Sequence, residues 1–336
     1  MALLEVNNLN VRFPTEDGVV HAVRDVSFSV DRGEILGIVG ESGSGKSVTS
    51  MAIMGLLPRS TRIDGSINYD GNELVGLPRK RQTVFRGKEI GMIFQDPMTS
   101  LNPVYSVGWQ IAEAVRAPGG VSKRDAIERA VELLDLVGIP QAAARAASYP
   151  HEFSGGMRQR VMIAMAMANS PRVLIADEPT TALDVTVQAQ ILETLHEIQM
   201  RAEIAIILIT HDLGVEAGMA DRVMVMYAGA AVEMASVDDL FYRPRMPYTI
   251  GLLGAIPAEG TEGQKLRQIR GTTPSLINMK PGCAFSSRCP LVIDRCRTDT
   301  PALHEVAGIG HSAACHRRDE IEGIDVRALF SPEAVL

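Results

Sequence analysis

No run of apolar residues in this chain approaches the roughly 20 needed to cross a bilayer. The longest, Ile204 to Ile209 and Val161 to Ala168, fall far short, so any membrane association is expected to go through a partner. The opening Met1-Ala-Leu-Leu-Glu5-Val has neither the basic start nor the apolar stretch of a signal peptide, which predicts a chain that stays in the cytoplasm. Positive charge is also short. The formal net charge is -7, which argues against general nucleic-acid binding, because that needs a basic face. One local exception, Arg79-Lys80-Arg81 with Arg86 and Lys88, reads as solvated surface, the other reading being a contact to lipid headgroups or a partner. Cysteine is absent until residue 283; Cys283, Cys289, Cys296 and Cys315 then fall in one C-terminal stretch. In a cytosolic chain, such clustering suggests metal or cluster ligation in place of disulfides. Internal repeats and low-complexity tracts are missing too. What is present is ordinary globular material, 336 residues with 46% apolar and 22% charged, enough for a full domain plus an extension.

The first part of the chain alternates strand-like runs with turn signals. Leu3 to Phe13, Val19 to Val30 and Glu34 to Val39 read as strands, separated by Pro14, Asp17-Gly18 and Asp31-Arg32-Gly33. From Gly40 the pattern becomes strand, glycine loop, helix, with the helix from Lys46 to Leu57 and Pro58 beyond its end. Glu89 to Phe94 is a further short strand. Val107 to Val115, Lys123 to Val137 and Met157 to Ala168 have helical patterning, so 98 to about 170 reads as a helical insertion. Val173 to Ala176 and Ile204 to Thr210 are continuous apolar runs, as expected of strands buried on both faces. Between them lies a helix from about Val185 to Met200. Arg222 to Tyr227 and Ala230 to Met234 form a closing hairpin around Gly229. Beyond about Leu240 prolines arrive at short intervals, at 244, 247, 257, 274, 281, 290 and 301, marking a separate, loop-rich extension.

Gly40-Glu-Ser-Gly43-Ser-Gly45-Lys46-Ser47 matches a full phosphate-loop pattern and sits between a predicted strand and helix. Its glycines let backbone N–H groups curl round phosphates, Lys46 neutralises β/γ oxygens, and Ser47 offers a hydroxyl to Mg²⁺. Val173-Leu-Ile-Ala-Asp177-Glu178 is an apolar strand ending in two carboxylates. Asp177 is placed to hold Mg²⁺ through water, and Glu178 to polarise an attacking water as general base. His211 and Gln95 also follow strands, at the edge of the sheet where ligands collect. His211 is therefore expected at a γ-phosphate, and Gln95 at Mg²⁺ or the attacking water. Ser154 is a good N-cap, and Gly155 and Gly156 bare the backbone behind it, which makes a second anion-binding helix start. One nucleotide needs one phosphate cradle, so this second start is expected to face a nucleotide held by another subunit.

In this order the motifs resemble those of the ATP-binding subunits of ATP-binding cassette (ABC) transporters. Gly40 to Ser47 resembles the Walker A motif, Gln95 the Q-loop and Phe153 to Met157 the signature motif. Val173 to Glu178 resembles Walker B with its catalytic Glu, Ala182-Leu183-Asp184 the D-loop, and His211 the switch histidine. The signature departs from the commonest form in having Phe153 for Leu and Met157 for Gln; Ser154, Gly155 and Gly156 are intact. The resemblance implies an α/β P-loop ATPase, a mixed-sheet core with an antiparallel β subdomain and a helical subdomain. It implies a nucleotide-binding domain over 1–240 and a C-terminal extension over 241–336. ATP contacts would come from Phe13 stacking on adenine and from Gly40, Ser42, Gly43, Gly45, Lys46, Ser47 and Val48. Ser47, Gln95 and Asp177 would hold Mg²⁺, while Glu178, His211 and Gln95 would serve hydrolysis.

Longer stretches narrow the resemblance. Gln95-Asp-Pro-Met-Thr-Ser-Leu-Asn-Pro103, Phe153-Ser-Gly-Gly-Met-Arg-Gln-Arg160, Asp177-Glu-Pro-Thr-Thr-Ala-Leu-Asp-Val-Thr186 and, in the extension, Pro247-Tyr-Thr-Ile-Gly-Leu-Leu253 and Arg270-Gly-Thr-Thr-Pro-Ser-Leu276 are similar to the dipeptide/oligopeptide importer branch. Nickel importers share much of the core. The branch implies a second ATP-binding subunit in a heterodimer, two permease subunits, an extracytoplasmic solute-binding protein, and a peripheral place on the cytoplasmic membrane. It also implies a [4Fe–4S] cluster on Cys283, Cys289, Cys296 and Cys315, whose Cys-x5-Cys-x6-Cys-x18-Cys spacing fits. Arg288, Arg295, Arg297, Arg317 and Arg318 would offset the thiolate charge. Zinc is the rival, though its usual Cys-x2-Cys pairs are missing; free buried thiols are the remaining reading. A soluble cassette ATPase would be expected to carry a coiled-coil insertion or a second cassette, and a kinase would have no use for Phe153 to Met157.

Overall fold

The computed structural model describes residues 2–181, 183–256, 269–306, 310–321 and 330, with the backbone alone for Met98 and Glu216. In chain order its strands are β1 (Leu4–Thr15), β2 (Gly18–Val30), β3 (Ile35–Val39), β4 (Arg62–Tyr69), β5 (Asn72–Glu73), β6 (Ile90–Ile93), β7 (Val173–Asp177), β8 (Ala205–Thr210), β9 (Arg222–Tyr227), β10 (Ala230–Ser236), β11 (His304–Val306) and β12 (His311–Ala313). The contacts define two compact units. One is Met1–Leu4, Val30–Ile35 and Tyr69–Ile209; the other is Glu5–Ser29, Leu36–Asn68 and Thr210–Leu336.

In the first unit, β6, β7 and β8 run side by side in that order. The pairs are parallel, with Ile90 opposite Val173 and Val173 opposite Ala205. Every residue of the three strands is buried, which is why their sequences are unbroken apolar runs instead of alternating ones. Being parallel, they also send their carboxyl ends to one edge. Helices form at Val107–Arg116, Lys123–Leu136 and Gly155–Ala166. Ser122 caps the second of these, its Oγ accepting the Asp125 N–H at 3.2 Å, and Asp184 caps the helix Val185–Ala202 by accepting from Val187 at 3.0 Å. Arg79 to Arg81 of the basic run lie in a short helix, Arg79–Phe85, with no buried residue.

In the second unit, β3 pairs parallel with β9, and β9 antiparallel with β10. The β9–β10 turn is Ala228-Gly229, with φ of +49° and +83°, the left-handed pair that suits a two-residue hairpin. β1 and β2 are joined through Glu16-Asp17, too short for anything but an antiparallel connection, and β4 lies on the other side of β1. The phosphate-loop helix is Lys46–Ile53, shorter than the sequence suggests. Gly55, at φ +60°, ends it: its N–H bonds Ala52 O at 3.0 Å and that of Leu56 bonds Met51 O at 2.9 Å, closing the last turn before Pro58 is reached.

The C-terminal stretch carries more regular structure than its prolines imply. Helices Val237–Tyr242 and Pro247–Leu253 follow β10, the latter with Pro at its first turn. Beyond them, β12 pairs with β10 and β11 with β12, both antiparallel. Leu276 and Ile277 lie along β2, through a His21 N–H to Leu276 O bond of 3.1 Å and a Val20–Ile277 bridge. The extension thus adds strands within the unit that also carries the phosphate loop.

Candidate nucleotide site and cysteine segment

In the second unit the chain leaves β3 into a loop only glycine can make. Gly40, Gly43 and Gly45 have φ of +156°, +78° and +102°. A Cβ on Gly40 would stand 2.2 Å from Met226 O, and one on Gly45 2.6 Å from Ala22 O, so space as well as conformation demands glycine. Gly45 takes the N-cap position without a side chain, which leaves the first turn of Lys46–Ile53 open to an anion. Lys46 is buried, and its Nζ donates to Gly40 O at 2.7 Å and Glu41 O at 3.2 Å. The ammonium is therefore folded over the loop. Ser42 and Gly43 are exposed, Ser47 and Val48 half-buried. Phe13, half-buried on β1, and His211, exposed directly after β8, belong to the same unit.

In the first unit the strand ends gather Gln95, Asp177 and Glu178. Asp177 closes β7 and is 4% exposed. Glu178 follows in the left-handed region, φ +49°, its N–H bonded to Ile209 O at 2.8 Å. Its Oε2 accepts from Gln95 Nε2 and from Thr181 Oγ1, each at 2.8 Å. The sequence led us to expect Gln95 at Mg²⁺ or the attacking water; Thr181 went unnoticed, although a hydroxyl three residues past a loop acid is a recognisable turn signal. Ser154 caps Gly155–Ala166 as expected, its Oγ accepting the Met157 N–H at 3.3 Å. Gly156 has a packing reason besides: a Cβ there would stand 2.4 Å from Val187 Cγ1. Of the D-loop triplet, Ala182 lies outside the described residues.

The four thiols form one group in the second unit. Cys283 N–H bonds Cys296 O at 2.8 Å, and Gly282, at φ +112°, lets the two stretches cross where a Cβ would meet Arg297 O at 2.8 Å. Burial pushes the Cys289 thiol up to about 12 and Cys315 up to about 11, with the other cysteines adding to both. Burial also raises Cys283. The thiols therefore sense one another, yet among the described residues no three His, Cys, Asp or Glu stand close enough to hold a single metal ion. A lone zinc does not fit this arrangement.

Four of the five arginines expected to offset the thiolates have carboxylate partners. Arg295 pairs with Asp299, Arg317 with Glu320 and Arg318 with Asp319. Arg288 turns away to Glu41 of the phosphate loop. Arg317 reaches sulfur through its backbone N–H, which donates to Cys315 Sγ at 3.4 Å.

Two family profiles match the chain: "ABC transporter" over residues 23–181 and "Oligopeptide/dipeptide transporter, C-terminal region" over 232–296. The "Oligopeptide transport ATP-binding protein OppD" of Salmonella typhimurium is 52% identical over 94% of this chain and 93% of its own length. The chain belongs to the oligopeptide/dipeptide branch of the ABC transporter ATP-binding proteins. The protein of the same description from Mycobacterium tuberculosis is 54% identical over 96% of this chain, but the chain spans only 53% of that longer relative. Among solved structures, the dimeric post-hydrolysis ATP-binding cassette MJ0796 bound to ADP and Pi matches with a TM-score of 0.62 and 25% identity, over 70% of this chain and 98% of that one. The fold is accordingly the α/β P-loop ABC ATPase fold, as expected. The ABC match takes in the phosphate loop, Gln95, Ser154 to Gly156, Asp177 and Glu178 and stops before His211. The C-terminal match takes in Cys283, Cys289 and Cys296 and leaves out Cys315.

Proposed function

We propose that the chain is the ATP-binding and ATP-hydrolysing subunit that energises import of oligopeptides or dipeptides by an ABC transporter. The observation that carries this is the Gly40–Ser47 loop, where Gly40 and Gly45 leave no room for a Cβ and Lys46 lies folded over the loop carbonyls. Phe13 would stack on adenine. The loop N–H groups, Ser42, Val48, Lys46 and Ser47 would take the phosphates. Ser47, Asp177 and Gln95 would hold Mg²⁺, which supplies charge neutralisation at the β and γ oxygens. Glu178, oriented by Gln95 and Thr181, takes the proton of the attacking water, and His211 meets the γ-phosphate. Ser154, Gly155 and Gly156 close over the nucleotide of a second ATP-binding subunit and receive the reciprocal favour.

On this reading residues 1–240 are the ATPase module and 241–336 an extension. The partners are a second ATPase subunit, two permease subunits meeting the 98–101 region and the following helices, and an extracytoplasmic solute-binding protein. No helix of the described residues is long and apolar enough to cross a membrane. On this reading the chain sits peripherally on the cytoplasmic face, through the permeases. Cys283, Cys289, Cys296 and Cys315 carry a [4Fe–4S] cluster of structural role, since ATP-driven transport needs no electron transfer.

Nucleotide binding tests the core of this reading. Lys46→Ala in the full chain should abolish ATP binding while leaving the unfolding temperature nearly unchanged; undiminished affinity would contradict it. Anaerobically purified chain should carry iron and sulfide, and should lose both on Cys289→Ser with Cys296→Ser.

A further inference from the structure

The second residue of the phosphate loop is Glu41, whose carboxylate adds negative charge to a loop built to attract phosphates. Its partner comes from 247 positions along the chain. Arg288 grips Glu41 with a two-pronged pair, Nη1 to Oε2 at 2.6 Å and Nη2 to Oε1 at 2.8 Å. The Arg288 side chain is 5% exposed and that of Glu41 26%, so this is not a solvated surface pair. Every guanidinium nitrogen is engaged: Nε also donates to Arg270 O at 3.0 Å, Nη2 to Ile269 O at 3.2 Å and Nη1 to the Tyr227 hydroxyl at 3.3 Å. The rings of Tyr227 and Phe285 flank the cation, with centroids 5.8 and 5.9 Å away.

A second contact reaches the same loop residue. The Glu41 N–H donates to the Tyr248 hydroxyl at 2.9 Å, and Tyr248 packs against Tyr227 and Phe285 with centroids 4.6 and 5.4 Å apart. Glu41 O is in turn one of the two carbonyls that hold Lys46 Nζ. An unbroken series of contacts thus runs from Arg288, the residue before Cys289, through Glu41 to the lysine of the phosphate loop.

We propose that Arg288 is a positioning residue for the phosphate loop, a latch by which the cysteine-bearing segment neutralises and orients Glu41 and so sets the affinity of the loop for ATP. Whatever holds Cys289 in place also holds the arginine beside it, so thiol ligation is felt at the nucleotide. The idea rests on the reading of Gly40–Ser47 as an ATP site, and the experiment separates the two.

The test measures equilibrium binding of a fluorescent ATP analogue to the full chain, with thermal unfolding recorded for each variant. Arg288→Ala should weaken binding about tenfold, inside the 5–150-fold span typical of coupling between sites, because it strands the Glu41 charge. Arg288→Lys should lose part of this, keeping charge without the fork. Adding Glu41→Gln to Arg288→Ala should recover most of the loss, since the stranded charge is then gone. A merely structural staple would lower the unfolding temperature of Arg288→Ala and leave the affinity of the folded protein unchanged, which would overturn the proposal. So would a double variant as weak as Arg288→Ala alone. Cys289→Ser should weaken binding in the natural background and add nothing to Arg288→Ala; equal effects in both, or none in either, would overturn the link to the cysteine segment. Failure of the unmodified chain to bind ATP would instead sink the ATP-site reading itself.

Discussion

Gln95 Nε2 stands 2.8 Å from Glu178 Oε2, and Thr181 Oγ1 stands at the same distance from the same oxygen. Both groups donate, so both hold the carboxylate in one orientation. If Glu178 acts on water, removing either donor loosens the base without removing it. Gln95→Ala and Thr181→Val should each lower the ATPase kcat of the assembled transporter by about tenfold, below the 10²–10⁴ a general base contributes because the base itself remains, with KM changed less than kcat. Steady-state kinetics checks this, and an unchanged kcat in both variants would refute the orienting role.

Gly156 is where the signature helix passes the helix Val185–Ala202. Because an added Cβ would stand 2.4 Å from Val187 Cγ1, Gly156→Ala should cost about 1–3 kcal/mol, the usual range for overpacking. Adding Val187→Ala should recover part of it. Urea unfolding of the three variants is the measurement; a Gly156→Ala chain as stable as the parent would show that the two helices separate freely.

Glu233 and His311 pair at 2.7 Å with both side chains fully buried, and Glu233 also accepts the Arg245 N–H. The pair pins β12 to β10. His311→Leu keeps the volume but takes one donor from a buried carboxylate that retains the Arg245 N–H, so it should destabilise the chain by about 1–3 kcal/mol, the cost of under-satisfying a buried polar group. Hydrogen exchange should quicken first at Ser312 and Ala313. No change at those amides would contradict the account.

Burial drives the phenols of Tyr69 and Tyr248 well above the ordinary tyrosine range, aided by the Glu89 hydrogen bond at Tyr69 and the Glu41 charge at Tyr248. Since each folded-state value lies above the unfolded one, the folded chain holds protons that the unfolded chain releases above about pH 10. Stability from these groups is full below that pH and declines as pH rises beyond it. An alkaline absorbance titration should find at least two of the six tyrosines un-ionised at about pH 11 in the native chain and all ionised in urea.

The sequence made the local parts of this molecule legible. Strands β6, β7 and β8 are buried on both faces and read as apolar runs, while Gly40 to Ser47 and Phe153 to Met157 are contiguous motifs whose spacing alone carries their geometry. Gly55 was a missed local signal, a glycine after the last helical turn, overshadowed by Pro58. Long-range pairings were not legible. β11 and β12 have three residues each, too few for any period, and become strands only because β10 offers an edge. Arg288 illustrates the same limit: beside Cys289 it reads as a partner for thiolates, and nothing local to it reveals Glu41.

The central claim is that Glu178 performs hydrolysis, and Glu178→Gln tests it most directly. Assembled with its permease and ATPase partners, the variant should bind ATP as tightly as the parent while its turnover falls by about 10²–10⁴, leaving unhydrolysed ATP on the complex. A variant that hydrolyses ATP at the parental rate would contradict the account.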